Sequence, residues 1–432
     1  CEEFNKIYVF HLRGNQRTSG ELSRKEGGKI FGSGSRSPIA ITVLVKNRDD
    51  DAKGQIYFYD IGDYLDRNQK LSIIQNFRSI NSIKEAKKFS EITPDEDGDW
   101  LNKGDKEFGR HITIASKKEA GLIEKFGPAI ITNRDAWVYN ASKKILCNNM
   151  REFTDHYNNM IEGKISENTA FKANPKKISW SRGLKQSFTK SKSLVFSNEF
   201  AKTSLYRPFT KQFLYMNDPL IESKGVTPSF FGRDGFRCIA IPKVTSTREF
   251  SVLLTSELTD YQTMFNGQCF PLKYEVQQKN SDGLFSSQAD HNVQTFLSGI
   301  SESGYLHFQN AYQGATFSKE DLFYYIYGLL HSPDYRERFQ NNLSKELPRI
   351  PAVKKFEDFM AFSEAGRKLG DLHVNYETVD PYPVTIKERD LKLAHIPDPV
   401  EFYRVKKMKF AGKRGSQDKT TVIYNNNITM MD

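Results

Sequence analysis

Metal and disulfide chemistry have little to work with in this sequence. Its four cysteines, Cys1, Cys147, Cys238 and Cys269, stand far apart and never form C-x-x-C, so neither a zinc knuckle nor a disulfide framework is expected. The eight histidines are equally dispersed, with no H-E-x-x-H and no H-x-E, and no ligand set for metal catalysis is visible. No apolar run approaches the roughly 18 residues that a membrane span requires. The opening "CEEFNKIYVF" lacks the charged start and long apolar core of a secretory signal. These absences predict a cytosolic protein with no membrane partner.

What the sequence holds in quantity is positive charge and aromatic rings. Lys and Arg exceed Asp and Glu by 63 to 53, a formal net charge of +10. That favours a polyanionic partner, because clustered cations gain affinity by releasing counterions from a phosphate backbone; a solvated basic surface is the alternative. Aromatics make up 13% of the chain, enough both for cores and for stacking on bases. At 432 residues the chain exceeds what one core usually supports, which predicts two or three domains.

The hydrophobic pattern predicts α/β structure followed by α+β. "KIYVFHL", "AITVLVKN" and "GQIYFYDIG" read as strands, and "DYLDRNQKLSIIQNFRSINSI" carries Leu and Ile at helical spacing. An acidic, glycine-containing stretch, "TPDEDGDWLNKGDKEFG", reads as a loop boundary. "ASKKILCNNMREFTDHYNNMIEG" predicts a helix, and "SLYRPFTKQFLYMN", "FRCIAIP", "SVLLTSELTD" and "QCFPLKYEV" read as strand-like. Residues 278–298 read as a polar loop. Helices follow: "SKED" has capping-box spacing before "DLFYYIYGLLHS", "PDYRERFQNNL" starts on a tolerated proline, and "KKFEDFMAFSEAGRKLGDLHVN" is expected to end near Gly370. "YRVKKMKFAGKRGSQDKTTVIYN" alternates like strands about a turn. A strand so near the first residue, and an end without a helix stop, give the expectation of a piece of a longer polypeptide.

The glycine loop "GGKIFGSGSR" fails both common phosphate-loop patterns. Lys29 is followed by Ile30 where a Walker loop needs Ser or Thr, and after Gly32 and Gly34 position 37 is Ser where a dinucleotide fingerprint needs Gly. The loop is either a crossing between two strands or a phosphate contact through Arg36 and backbone N–H groups. "GSGSR" is not G-x-S-x-G, and no His or Asp can be assigned to orient a serine. No complete active site is expected in this chain.

Nine stretches in order, "VFHLRGNQRTSGE", "RKEGGKIFGSGSRSPIAITVLVKN", "IYFYDIGDYL", "TNRDAWVYN", "SLYRPFTKQFLYMN", "GQCFPLKYE", "LFYYIYGLLHSPDYRERF", "LPRIP" and "DKTTVIYNNNIT", resemble the C-terminal part of type ISP restriction-modification enzymes, LlaGI/LlaBIII-like. The resemblance implies a parent polypeptide joining a nuclease, a helicase-like motor, an adenine-N6 DNA methyltransferase and a target recognition domain. It implies that residues 1–85 are the tail of the Rossmann-like methyltransferase sheet, 86–130 a connecting segment and 131–432 a mixed α+β recognition domain. The glycine loop then resembles the one joining the last two strands of that sheet. Neither Asn-Pro-Pro-Tyr nor the glycine-containing cofactor loop is present, so no cofactor is expected in this fragment. S-adenosylmethionine, ATP and Mg are expected for the parent. Double-stranded DNA and the upstream domains are the implied partners. A divergent but complete S-adenosylmethionine-dependent methyltransferase and a basic protein-interaction scaffold remain as alternatives.

Three basic clusters are candidates for DNA contact. Lys172 to Lys192 carries seven Lys or Arg and no acid; Lys176, Lys177, Arg182, Lys185, Lys190 and Lys192 are interleaved with Trp180 and Phe188 as a phosphate strip or as a solvated loop. In "YRPFTKQFLY", Arg207, Lys211 and Gln212 are types that reach base edges, with Phe209, Phe213 and Tyr215 supporting them from the core. Alternation places Arg207, Phe209, Lys211 and Phe213 on one face, so either a bulge intervenes or Arg207 is structural. Lys406, Lys407, Lys409 and Arg414 form a third cluster suited to backbone contact, and Arg36 is a candidate in the glycine loop. Trp137, Tyr139, Tyr324, Tyr325 and Tyr327 are expected to pack in cores.

Overall fold

A strand flanked by strands on both edges and covered on both faces needs apolar residues along its middle, and "KIYVFHLR" supplies them from Ile7 to Phe10 and at Leu12. In the computed structural model this is β1 (Lys6–Arg13). The structure describes residues 3–18, 20–32, 35–225, 236–244, 249–277, 294–388, 398–405, 408–413 and 416–432. β1 pairs antiparallel with β2 (Ile39–Val45) and parallel with β3 (Gln55–Asp60), and β4 (Ser90–Ile92) adds antiparallel to β3, giving the order β2-β1-β3-β4. Phe10 and Leu12 pack with Ile61 and Ile83 on one face, while Ile7, Val9 and Ile56 form a core on the other. β2 is the edge strand, and its Ala40–Thr42 stretch and Leu44 are exposed.

The glycine loop is anchored at its base by close backbone packing. Gly27 has φ +66, and a Cβ there would collide with the Leu65 carbonyl oxygen. Gly28 N–H donates to Leu65 O at 2.8 Å. The fully buried Lys70, on the helix Arg67–Phe77, donates its ammonium to Glu26 O at 2.7 Å and Gly28 O at 2.9 Å. Burial holds that ammonium below the usual lysine range. Ser33 and Gly34 lie outside the described residues.

Beyond β4 the chain runs into the largest core. Ile112–Thr113 pairs with Arg349–Ile350, Gly127–Pro128 pairs with Gln268–Pro271, and Phe108, Ile114, Leu122 and Ile123 are buried in the largest core. Two helices, Lys319–His331 and Phe356–Val374, dominate that core. Ser318 and Asp321 close the capping box that the sequence predicts, and Tyr324, Tyr325 and Tyr327 are buried as expected. The second helix does not stop near Gly370 but runs to Val374, because its glycines lie where the helices cross. A Cβ on Gly366 would press on Tyr324 O and sit 2.8 Å from Gly328 N. Ser363 Oγ donates to Asp321 O across the crossing at 2.8 Å.

The sheets are small. Cys238–Ile241 is flanked by Leu253–Thr255 and Gln268–Pro271, and Lys273–Gln277 pairs with Gln294–Ser298, a strand inside the stretch read as loop; residues 278–293 lie outside the described ones. A second core joins the long helix Lys143–Glu162 to a sheet of Leu258–Thr259, Ala201–Arg207, Thr210–Tyr215 and Tyr139–Asn140. The contacts divide the chain after Val374. In the second unit Thr385–Glu388, Ile428–Met431, Ser416–Ile423 and Lys409–Lys413 form one antiparallel sheet. The whole is mixed α and β, with several small sheets and thirteen α-helices among the described residues. No helix among them is long and apolar enough to cross a membrane.

Candidate nucleic-acid interface

The basic stretch 172–192 is a helix with its surroundings rather than a loop. Ser181 caps Arg182–Thr189 by accepting from Leu184 N, and Leu184 and Phe188 face inward. Beneath them Tyr157, Phe171, Trp180 and Phe188 meet edge-on or tilted, at centroid distances of 4.9 to 6.0 Å. Trp180 Nε1 donates to Ala170 O at 3.0 Å, and Tyr157 Oη donates to Lys192 O at 3.0 Å. Phe188 is therefore buried in the footing under the lysines, whereas Trp180, half-buried, belongs to that footing and also borders the surface beside Arg182, Lys185 and Lys190.

The opposite face is cationic. Lys176, Lys177, Arg182, Lys185, Lys190 and Lys192 are all exposed, and none forms a salt bridge among the described residues. Arg182, Lys185, Gln186 and Lys190 line one open depression of about 560 Å³. Lys176 and Lys177 line another, of about 570 Å³, against the helix Lys143–Glu162. Lys185 Nζ also stands 5.0 Å from the Phe171 ring centroid.

"YRPFTKQFLY" is a hairpin and not one strand. Ala201–Arg207 and Thr210–Tyr215 pair antiparallel with a register shift between Leu205 and Arg207, so Arg207 and Lys211 belong to different strands. Phe209 sits in the turn at φ 53 and is exposed, so it does not support the strand from the core; Tyr215 is fully buried and does. Both readings of Arg207 have a counterpart here: the register shifts just before it, and its guanidinium is held by carboxylates. It donates to Asp260 at 2.8 Å, lies 3.6 Å from Asp135 and covers the Tyr206 ring at 3.9 Å. Lys211 is 3.7 Å from Glu257, and Gln212, half-buried, pairs with Ser204. Tyr139 is buried and shares a hydrogen bond with Ser204, while Trp137 packs edge-on against Phe153.

Burial pushes the Asp260 carboxyl up to about 6, against the pull of Gln262 N–H and Arg207. An acid whose folded value lies above its unfolded one costs stability once it ionises; the cost is absent at low pH and complete above the folded value. Relative to Asp260→Asn, the wild-type protein should therefore gain stability as pH falls from about 6 to 4. Urea midpoints of the two proteins across that range test this, and parallel profiles would refute it.

Lys409 is exposed on a strand of the second unit, opposite Ile423. Lys406, Lys407 and Arg414 lie outside the described residues. Arg36 is exposed, its carbonyl accepting from Gln16 N at 2.9 Å. Sequence reasoning passed over two groups. Arg134 is only 4% exposed, and all three of its guanidinium nitrogens lack a hydrogen-bond partner. Burial lowers it to about 10, and the Glu222 carboxylate partly offsets that. His156, in the Lys176 depression, has a buried Nε2 without a partner. Nothing in the local pattern announced either, because both depend on what the distant chain lays over them.

No curated protein matches the chain. Solved structures do. A nuclease-deletion mutant of the Type ISP restriction-modification enzyme LlaGI, in complex with a DNA substrate mimic, is 35% identical with a TM-score of 0.75, over 100% of this chain and 31% of that one. The ATP-dependent Type ISP restriction-modification enzyme LlaBIII bound to DNA is 30% identical with a TM-score of 0.78, over 100% of this chain and 26% of its own. A DrdV–DNA complex is 26% identical with a TM-score of 0.78, over 99% of this chain and 41% of its own. The chain thus spans less than half the length of each. Residues 121–432 match the family described as the Type ISP C-terminal specificity domain, and the chain belongs to that family.

Proposed function

We propose that this chain reads the sequence of duplex DNA within a restriction-modification enzyme, placing a target adenine for N6 methylation by the preceding methyltransferase segment and gating restriction. In this reading residues 1–85 are the tail of a Rossmann-like methyltransferase sheet, 86–130 join it to the recognition domain, and 131–432 bind DNA. The methyltransferase, helicase and nuclease segments of the parent polypeptide are its partners in a cytoplasmic enzyme. One observation carries the reading: the helix Arg182–Thr189 and its cap rest on an aromatic footing and leave Arg182, Lys185 and Lys190 exposed, with no salt bridge to a carboxylate among the described residues. Unneutralised cations around a depression bind phosphates by displacing counterions, and phosphate contacts set the register from which base edges are read.

S-adenosylmethionine is assigned to the preceding segment, and ATP and Mg to the motor and nuclease. At the base of the glycine loop Gly27 and Gly28 are pressed against the backbone of residues 65–67, and Lys70 occupies the carbonyls of Glu26 and Gly28, which supports a backbone crossing there over a cofactor cradle. This chain is therefore read as binding DNA without catalysing. The test is selection from a randomised duplex library by the full chain, followed by sequencing. Enrichment of one motif, with affinity falling steeply as salt rises, is expected. Uniform recovery of all sequences would overturn the reading, and saturable S-adenosylmethionine binding by calorimetry would favour a complete methyltransferase instead.

A further inference from the structure

The second depression has features that a bare basic surface lacks. One wall is the helix Lys143–Glu162, which presents Asn149, Glu152 and His156 at helical spacing; the other is the turn carrying Lys176 and Lys177, and Trp137 closes the floor. The turn is locally built: Asn174 Oδ1 accepts from Lys176 N at 2.9 Å and Asn174 O from Lys177 N at 2.9 Å. Between the walls lies a cleft of about 570 Å³, roomy enough for a phosphodiester and its sugar. His156 borders this cleft, and its Nε2 is buried against the protein with no hydrogen-bond partner, a cost that would be removed if the ring turned to offer that nitrogen to an acceptor oxygen in the cleft.

We propose that this cleft takes a backbone phosphate of the bound duplex, the His156 ring turning so that its Nε2 donates to a phosphate oxygen between the ammonium groups of Lys176 and Lys177. The proposal rests on the reading of the chain as a DNA-binding protein and adds a positioning residue to it. The charged groups facing His156 are Glu152 on its own helix and Lys176 and Lys177 on the opposing turn; the third wall, Ala136 and Trp137, presents none. Burial, with help from Lys177, holds the free imidazole below its usual range, so the imidazolium is disfavoured before DNA arrives. A phosphate in the cleft adds a negative charge beside it and favours the imidazolium. Binding then takes up a proton from solvent, which becomes N–H⁺ at the ring nitrogen, and no covalent bond to the phosphate forms.

The experiment measures the affinity of the full chain for a fluorescein-labelled duplex of mixed sequence at pH 6 and pH 8 and constant ionic strength. Wild-type protein should bind about fivefold more tightly at pH 6, whereas His156→Gln, which keeps a donor but cannot titrate, should lose most of that difference. Lys176→Ala with Lys177→Ala should reduce the salt slope by about one or two. Those lysines are exposed, so this arm stands even where the histidine variant fails to fold. Identical pH dependence in wild type and His156→Gln, or an unchanged salt slope in the lysine variant, would overturn the cleft while leaving DNA binding in place. Absence of duplex binding by the wild-type chain would overturn both the cleft and the DNA-binding reading.

Discussion

Arg182→Glu, Lys185→Glu and Lys190→Glu together should weaken binding to every duplex by more than about a hundredfold at low salt, with little dependence on sequence. Their position is the reason. These cations line one depression, are exposed and have no acidic partner among the described residues, so each is available to a phosphate. Reversal removes three attractions and adds three repulsions at the same places. The fold should survive, because Leu184 and Phe188 hold the helix from its other face and are untouched. Losing the Lys185 contact with Phe171 costs about 0.5–1 kcal/mol by the usual worth of an exposed cation–π pair. The milder Lys185→Ala with Lys190→Ala should weaken all duplexes alike and lower the salt slope by about one or two. Titrations at several salt concentrations, alongside circular dichroism of each variant, separate lost binding from lost structure. Unchanged affinity in the triple variant would remove this helix from the interface.

Gly366→Val should be the most damaging single substitution in the largest core. The helices Lys319–His331 and Phe356–Val374 approach so closely that a Cβ on Gly366 meets the Tyr324 carbonyl oxygen and lies 2.8 Å from Gly328 N and 3.1 Å from Gly328 Cα. Those obstacles are backbone, and they cannot swing aside as a flexible side chain would. Moving one helix outward would in turn break the Ser363 bond to Asp321 O and separate Arg367 from Glu320, now 2.6 Å apart. Overpacking a well-filled core costs about 1–3 kcal/mol and sometimes more; here the loss should reach or exceed the upper figure, giving a lowered urea midpoint or insoluble protein. Gly109→Ala is the control, since a Cβ there has nothing within 4 Å. Equal midpoints for Gly366→Val and wild type would show that the crossing is not tightly packed.

Local pattern carried a good deal of this architecture. Apolar runs placed β1, β2 and β3, and the Ser318 box fixed the start of the helix it caps, because hydrophobic period and end chemistry act over a few neighbouring residues. The basic stretch was legible as charge, but the inward turn of Trp180 and Phe188 depended on Tyr157 and Phe171 from other segments. Gly370 looked like a helix end by propensity; packing against Tyr324 and Leu254 kept it helical. The hairpin turn was hidden because a left-handed turn position normally signals itself with Gly or Asn, and here Phe209 occupies it. Arg134 carried no sign of burial at all, since a buried guanidinium without a hydrogen-bond partner contradicts the surface habit of its residue type.

The outer strand Ile39–Val45 bears on how the isolated chain behaves in a test tube. Seven residues of β-prone sequence, with Ile41 and Leu44 facing solvent, end the first sheet with backbone donors and acceptors open on one side. Every copy in a concentrated solution displays the same template, and two copies can satisfy it by zipping lip to lip. Dimerisation through that seam would compete with purification unless a stretch of polypeptide that covers it is supplied, in cis or by co-synthesis.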